Sequence, residues 1–200
     1  VKVAEREKKS AEGLKNDPKN RDYHYNLGVL LMQSGKLPEA IGHFKEAVAL
    51  DPTLPTARLY LATAYMVQYI PGAESPENVE LAKSAHEEFL KVLDQDPKNS
   101  IAIASIASLF FNQKKFDEAT EWYTKMTSVD PNNKEAFYTL GVIVWTKSFQ
   151  DDAEARARLG MRPEDPGPLK DKKVRDQLRE KNLAMIESGL QHLERALKID

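Results

Sequence analysis

The dipeptide Asp-Pro recurs along this chain at a nearly fixed interval. It occurs four times, so that the prolines are separated by 34, 45 and 34 residues, at Pro18, Pro52, Pro97 and Pro131. Because 45 exceeds 34 by 11, one interval carries an insertion. A period near 34 residues indicates that one supersecondary unit is stacked several times, since a single unit cannot bury its apolar face alone. Stacked helical units build surfaces that hold other molecules, so the period favours a binding function over catalysis.

Each interval contains two runs of apolar residues at helical spacing, joined by a short turn such as Ser34-Gly35-Lys36. In the first interval small and apolar residues fall at fixed offsets along these two runs, at Leu27, Gly28, Leu31, Ala40, Phe44, Ala47 and Pro52. These offsets resemble those of the tetratricopeptide repeat (TPR). His24 stands in the place of its tryptophan, where we expect a packed, structural histidine. The resemblance implies an all-α fold, a right-handed α-solenoid of helix-turn-helix repeats with an enlarged fourth repeat.

The repeat frame divides the chain into a cap and four repeats. We expect a capping helix or a remnant of an upstream repeat, then two regular and two enlarged units. The predicted ranges are 1–17 for the cap, 21–54 for TPR 1, 55–99 for TPR 2 with its 11-residue insertion, 100–133 for TPR 3 and 134–200 for TPR 4. The final Leu197 to Asp200 parallels Val48 to Asp51, so we expect TPR 4 to be truncated before a further proline.

Both insertions allow a structural prediction. In TPR 2, Ser75 and Pro76 signal a helix that restarts after a surface loop and runs to about Asp94. The 36-residue insertion of TPR 4, at about 148–183, is helix-compatible on both sides of a proline-rich centre at 163–168. It predicts either two antiparallel helices, each prolonged by about 13 residues and roughly 20 Å, or a mobile loop at 150–170 followed by one ordered helix.

The first helices of successive repeats line the concave face of TPR proteins, which generally hold peptides or helices there. The residues that fall on this face are all uncharged, although 30% of the chain is charged. Apolar area in water costs about 25 cal/mol per Å², so we expect this face to be covered, either by a partner or by the chain's own curvature and further C-terminal helices. The predicted partner-binding residues are Tyr25, Asn26, Val29, Met32, Gln33, Leu59, Tyr60, Thr63, Met66, Ser105, Ser108, Phe111, Asn112, Tyr138, Thr139, Val142 and Trp145.

One familiar type of partner does not fit this face. TPR co-chaperones hold acidic chaperone C-terminal tails with Lys, Asn and Arg side chains, through charge-assisted hydrogen bonds. The matching positions here are Tyr25, Val29, Tyr60, Ile101 and Ser105. We therefore do not expect acidic chaperone tails as partners.

Composition argues against several other functions. The 29 Lys and Arg residues nearly balance the 31 Asp and Glu residues, so nucleic acid is not an expected partner. The four histidines form no His-x-x-x-His pair, and phosphate loops and nucleophile motifs are absent. We expect no enzyme, no catalytic residues, no cofactor and no metal.

The sequence leaves the compartment open. No apolar run approaches the roughly 20 residues of a membrane span, so we expect a soluble protein with no direct membrane insertion. The charged opening lacks an initiator methionine, and we expect that residues have been removed ahead of Val1. Cytoplasmic and, if a signal was removed, periplasmic locations both fit.

The prediction for function is a protein-protein interaction module or assembly scaffold, which binds a partner helix or peptide of unknown identity on the uncharged concave face. Two alternatives remain at this point. The repeats are the regulatory or substrate-presenting domain of a larger enzyme, or they belong to an exported bacterial envelope-assembly adaptor.

Overall fold

The computed structural model describes residues 2–199, and every regular element in that range is an α-helix. The chain runs through α1 (Lys2–Asn16), α2 (Arg21–Gln33), α3 (Leu37–Leu50), α4 (Pro55–Gln68), α5 (Pro76–Gln95), α6 (Ser100–Asn112), α7 (Phe116–Val129), α8 (Lys134–Arg158) and α9 (Lys172–Leu197). Val1 of the predicted cap and Asp200 of the predicted fourth repeat lie outside the described residues. Among the helices described, none combines the length and the apolar character that crossing a membrane requires.

The Asp-Pro dipeptides end the second helices of three repeats. Asp51, Asp96 and Asp130 are the C-caps of α3, α5 and α7, with φ angles of −143°, −132° and −129°. These residues leave the helical conformation because the ring of the following proline clashes with it. Each carboxylate accepts a hydrogen bond from the backbone N–H two residues later, at 2.9, 3.3 and 3.1 Å. The recurring dipeptide is therefore a helix stop joined to a tight turn.

Three of the four Asp-Pro aspartates, Asp17, Asp96 and Asp130, are followed three residues later by an asparagine that starts the next helix. Asn20, Asn99 and Asn133 are the N-caps of α2, α6 and α8, and each side-chain oxygen accepts a backbone N–H of the first turn. Such a cap satisfies a helix donor that otherwise has no partner, and its loss costs about 1 kcal/mol. In the second repeat Leu54 takes this position and makes no side-chain cap, but Pro55 starts α4 with the correct φ.

The chain forms two units, residues 1–114 and 115–200. In unit one each helix from α1 to α5 packs on the next one along the chain, and the first helices of the repeats also touch, α2 with α4 and α4 with α6. Phe44 of α3 and Phe89 of α5 are completely buried. Phe44 lies against Gly28, where an added Cβ would be 2.7 Å from the ring, so glycine permits the close approach of α2 and α3.

The insertion of the second repeat is held by one buried amide. Asn78 is 5% exposed, and its side chain accepts a hydrogen bond from Ile70 N at 2.7 Å. It also donates to the carbonyl oxygens of Ile70 and Ala73, both at 2.8 Å. The helix that follows begins at Pro76 with Ser75 as its N-cap, as the sequence predicts. The loop at 70–75 is thus pinned to the first turn of α5.

In unit two, α8 packs on both α7 and α9. The helices α8 and α9 are antiparallel, since Lys181 pairs with Asp151 at 3.1 Å while Gly141 lies against Leu193. They contain 25 and 26 residues, compared with 13 and 14 in α2 and α3. The structure therefore contains two prolonged antiparallel helices, whose extended ends, from about residue 148 to about 183, we call the arm. Residues 150–158 belong to α8 and are not part of a loop.

The end of the arm has a small core of its own. Ala155, Met161 and Leu169 are buried there, and Leu159, Val174 and Leu178 pack against them. The Arg156 guanidinium donates to the carbonyl oxygens of residues 165 and 167 at 3.0 and 2.9 Å. Apolar burial and satisfied carbonyls together explain how a proline-rich segment forms an ordered connection between α8 and α9.

Candidate functional site

The first helices of unit one carry most of the predicted binding residues. Because α2 contacts α4 and α4 contacts α6, these helices lie next to one another, and we treat their predicted residues as one surface within this unit. All of the predicted residues on it are half-buried or exposed. We call this surface the uncharged stripe; its members are Tyr25, Asn26, Val29, Met32, Gln33, Leu59, Tyr60, Thr63, Met66, Ser105, Ser108, Phe111 and Asn112.

Charge is segregated by helix in unit one. After Arg21 and Asp22 in its first turn, α2 contains no Asp, Glu, Lys or Arg, and α6 contains none at all. The single charged residue of α4, Arg58, is buried and pairs with Glu88 of α5 at 2.6 Å. The second helix α5 alone carries seven Asp, Glu and Lys residues. The absence of charge is therefore a property of the first helices, and the described part of unit one has ample charge elsewhere.

An aromatic cluster lies at the centre of the uncharged stripe. The rings of Tyr25 and Tyr60 meet edge to face with centroids 5.6 Å apart, and both rest on the buried Phe44, at 6.3 and 5.7 Å. Burial, followed by the neighbouring Tyr60, raises the pKa of Tyr25. Tyr25 therefore keeps its proton at physiological pH. Both rings offer flat apolar area with a polar edge, which suits them as anchors for a peptide.

The polar members of the stripe differ in what they can offer a ligand. Thr63 donates its hydroxyl proton to the carbonyl of Leu59 in its own helix, at 2.8 Å, so that donor is already used. The amides of Asn26 and Gln33 are exposed. A primary amide carries both donors and an acceptor, which match the N–H and C=O groups of an extended backbone.

Unit two presents the remaining predicted residues on α8. Tyr138 and Trp145 are 58% and 67% exposed, and Val142 between them is half-buried. The prediction for Thr139 was wrong: we expected it on the exposed face, but it is buried, with 8% of its surface exposed. Residue 139 is one position beyond Tyr138, which turns it about 100° around the helix, away from the line through 138, 142 and 145.

Sequence reasoning did not assign Phe149 to the site, but the structure places it beside Trp145. The two rings stack with centroids 6.0 Å apart and planes at 21°, and Phe149 is 56% exposed. The signal was available, because Phe149 follows Trp145 by four residues on one helix. Both rings line an open groove of about 490 Å³ within unit two, together with Leu178 and Ile186 of α9.

The five positions that correspond to the tail-binding residues of TPR co-chaperones all carry neutral side chains. Tyr25, Val29, Tyr60 and Ser105 lie on the uncharged stripe, and Ile101 at the start of α6 is 56% exposed. None of these side chains carries the positive charge of Lys or Arg that would pair with a carboxylate, and Val29 and Ile101 have no side-chain donor at all.

Two of the four histidines meet each other. His24 Nδ1 lies 3.0 Å from His43 Nδ1, and His24 Nε2 lies 3.0 Å from the carbonyl oxygen of Pro18. Burial, followed by the neighbouring His24, lowers the pKa of His43. Burial alone lowers the pKa of His192. Over residues 2–199, no three His, Asp or Glu side chains converge in a way that could hold a metal.

Comparison with known families identifies the repeats. Models described as tetratricopeptide repeat match residues 21–54 and 102–133. Hsp70-Hsp90 organizing protein 1 of Glycine max is 32% identical to the chain over 133 residues, which cover 66% of this chain and 21% of that protein. The chain thus spans about a fifth of the length of this relative.

Solved structures share the fold. The crystal structure of MamA superposes with a TM-score of 0.62 at 19% identity, covering 94% of this chain and 87% of that one. The first TPR of Spaghetti (RPAP3), bound to the HSP90 peptide SRMEEVD, gives a TM-score of 0.51 at 21% identity, covering 63% of this chain and 94% of that one. These likenesses and the helices described above confirm the predicted fold class, an all-α repeat fold of the solenoid type. With two matched repeats and relatives built from the same unit, the chain is a tetratricopeptide repeat protein.

Proposed function

We propose that this chain binds a weakly charged peptide segment of a partner protein along the uncharged stripe of unit one. Proteins of this repeat family are typically interaction modules without catalytic activity. The stripe supplies the particular chemistry in this chain. It selects a neutral segment, extended or helical, because a charged side chain placed on it would lose water without gaining an opposite charge.

The segregation of charge by helix carries the proposal. A helix face that only meets water is normally charged, since charged side chains keep it soluble at no cost in packing. Here α5 follows that rule while α2, α4 and α6 depart from it together, on the side where these three helices touch. Half-burial shows that the repeats cover part of this apolar area themselves, and the proposed partner covers the remainder.

Two kinds of side chain would recognise the ligand: aromatic rings that pack against its side chains and amides that bond its backbone. Tyr25 and Tyr60 are held by Phe44, so a ligand that packs on them need not order them first, which lowers the entropic cost of binding. Asn26 and Gln33 would bond the ligand backbone. Met66 supplies a flexible apolar surface that adapts to different side chains.

The exposed side chains of α8 provide a second proposed contact surface. Tyr138, Val142 and Trp145 belong to unit two and recur at spacings of four and three residues. Large exposed aromatic residues of this kind are enriched at the centres of protein interfaces. We assign them to the same function as the stripe, with Phe149 as an addition.

Acidic peptide tails should bind this chain poorly, in contrast to a neutral peptide. The RPAP3 repeat domain is bound to the HSP90 peptide SRMEEVD in its structure, and the positions that would form a carboxylate clamp in this chain hold Tyr, Val, Ile and Ser. We therefore propose that this peptide binds far more weakly than a neutral one.

The test uses peptides selected from a random display library on the full chain, with affinities measured by calorimetry. The variants Asn26→Asp and Gln33→Glu place charge on the stripe at constant shape, and Gln177→Glu, an exposed residue of α9, is the matched control. A lost backbone hydrogen bond costs about 1–3 kcal/mol when its partner stays unpaired, so affinity should fall about fivefold to a hundredfold in each stripe variant.

The control should bind like the wild type, and SRMEEVD should bind more weakly than the selected peptides. Unchanged affinity in the combined Asn26→Asp, Gln33→Glu variant would refute the stripe as the binding site. Preferential binding of SRMEEVD would refute the proposed class of ligand.

A further inference from the structure

The first repeat brings two imidazole nitrogens from different helices into direct contact. His24 belongs to α2 and His43 to α3, and their Nδ1 atoms are 3.0 Å apart with ring planes at 40° and centroids 5.2 Å apart. The rings of His86 and His192 pack against Phe110 and Phe137, with centroids 5.0 and 6.0 Å apart. The peptide-binding proposal makes no use of the contact between His24 and His43.

The hydrogen bonds of His24 determine which of its nitrogens carries a proton. The carbonyl oxygen of Pro18 can only accept, so the Nε2 atom 3.0 Å away must be the N–H donor. In neutral His24, Nδ1 therefore carries a lone pair that points at His43. A backbone carbonyl that fixes the tautomer of a histidine in this way is the usual outer partner of a metal-ligating imidazole.

His43 can offer a second lone pair at the same place. In the metal-free pair its Nδ1–H donates to His24 Nδ1, since that atom is the acceptor. Moving this proton to Nε2 gives the other neutral tautomer and frees Nδ1, with no net gain or loss of protons.

The distances match a shared ion. Two nitrogens that bind the same tetrahedral Zn²⁺ at about 2.0–2.1 Å lie about 3.3 Å apart. The two Nδ1 atoms here are 3.0 Å apart. In tetrahedral geometry each nitrogen–metal bond lies about 35° off the line that joins the two nitrogens, so both rings turn from the hydrogen-bonded arrangement when the ion binds.

We propose that His24 and His43 form a two-histidine site for a borderline divalent metal ion such as Zn²⁺ or Ni²⁺, which joins α2 to α3 in the first repeat. Imidazole ligands suit these ions better than Mg²⁺ or Ca²⁺, which prefer oxygen. Since no third His, Asp or Glu of the described residues converges with these two, water would complete the coordination. Affinity is therefore lower than that of structural zinc sites with four protein ligands.

The test follows the imidazole nitrogens by ¹⁵N NMR in the full chain without a polyhistidine tag, with ZnCl₂ or NiCl₂ as the only addition. Zn²⁺ should shift the Nδ1 resonances of both His24 and His43 and leave Nε2 protonated on both rings. Resonances of both rings that do not respond up to about 1 mM metal would overturn the proposal, as would coordination through Nε2. This measurement uses the wild-type fold, so it does not depend on any variant.

Variants test whether the two rings act together. In His43→Gln the side chain can still hydrogen-bond to His24, but it cannot bind the metal together with it. Calorimetry should show metal affinity reduced at least about tenfold, because the loss of even an outer-shell partner reduces affinity by that much. His86→Gln removes a histidine elsewhere in unit one and should leave affinity unchanged. Equal affinity in wild type and His43→Gln would overturn the shared site.

Discussion

Replacing Gly141 by alanine should destabilise unit two, although alanine is the better helix former. An added Cβ at residue 141 would lie 2.4 Å from Leu193 Cγ, 2.6 Å from its Cδ2 and 3.2 Å from the carbonyl oxygen of Gly189. Reciprocally, a Cβ at Gly189 would meet Val144 at 2.6 Å. The two glycines therefore allow α8 and α9 to approach more closely than side chains would permit.

The magnitude follows from two opposing terms. Ordinary carbon contacts lie near 3.5–4.0 Å, so the Cβ would push the helices apart by about 1 Å or more. Overpacking of this kind costs about 1–3 kcal/mol, and the upper end applies because Leu193 Cγ is a branch point and the carbonyl is backbone. Alanine recovers about 1 kcal/mol of helix propensity. The net loss is about 2 kcal/mol.

The matched control is Gly42→Ala. Gly42 also lies within a helix, α3, but an added Cβ there meets no atom within 4 Å. Only the propensity term applies, so this variant should gain about 0.5–1 kcal/mol. Opposite signs for the same chemical change isolate the effect of packing.

Urea unfolding measures the packing cost in Gly141→Ala and the gain in helix propensity in Gly42→Ala. Trp122 and Trp145 both belong to unit two, so fluorescence reports on the unit that contains Gly141, and circular dichroism follows Gly42→Ala. The midpoint should fall for Gly141→Ala and rise for Gly42→Ala at similar slopes. If Gly141→Ala stabilised unit two, the close approach of α8 and α9 would not be present in solution.

Three further changes test other contacts. Asn78→Ala should cost about 1–3 kcal/mol by leaving the Ile70 amide unpaired, and limited proteolysis should then cut the loop at 70–75; resistance to cutting would contradict the pinning. Glu88→Ala should cost about 3–5 kcal/mol because it leaves the buried Arg58 charge without its partner, measured by urea unfolding against the wild type. Burial lowers the pKa of His192 in the folded chain, so its contribution to stability should be fully present above about pH 6.5, the pKa of an unfolded histidine. The free energy of unfolding should then decrease as the pH drops from that value through the folded pKa. His192→Gln should flatten this pH dependence, and an unchanged profile would contradict it.

The fold was predictable because the repeat encodes it several times. The Asp-Pro stops, the small residue at Gly28 and the aromatic at Phe44 each reflect a local rule of helix ending or helix approach, and these rules depend on few neighbours. The helix restart at Pro76 was predictable for the same reason. By contrast, the order of the arm depends on contacts between distant residues, such as Arg156 with the carbonyl of residue 167, which no local pattern specifies.

The candidate site was predictable only in part. The helical period places Tyr25 and Tyr60 on one face, but it cannot show that both rings rest on Phe44 of a third helix. Thr139 was assigned to the exposed face because a period of 3.6 residues leaves the edges of a face uncertain by one position. The contact of His24 with His43 joins two helices, so neither sequence position indicates it alone.

The missing charge on the first helices of unit one also governs how fast a partner would arrive. Complementary charges accelerate protein association to 10⁸–10⁹ M⁻¹s⁻¹ at low salt, whereas encounters without such steering proceed at about 10⁵–10⁶ M⁻¹s⁻¹. A neutral segment meeting the uncharged stripe belongs to the second regime, at a rate nearly independent of ionic strength. Differences in affinity between partners would then arise from how slowly each one leaves the tyrosines.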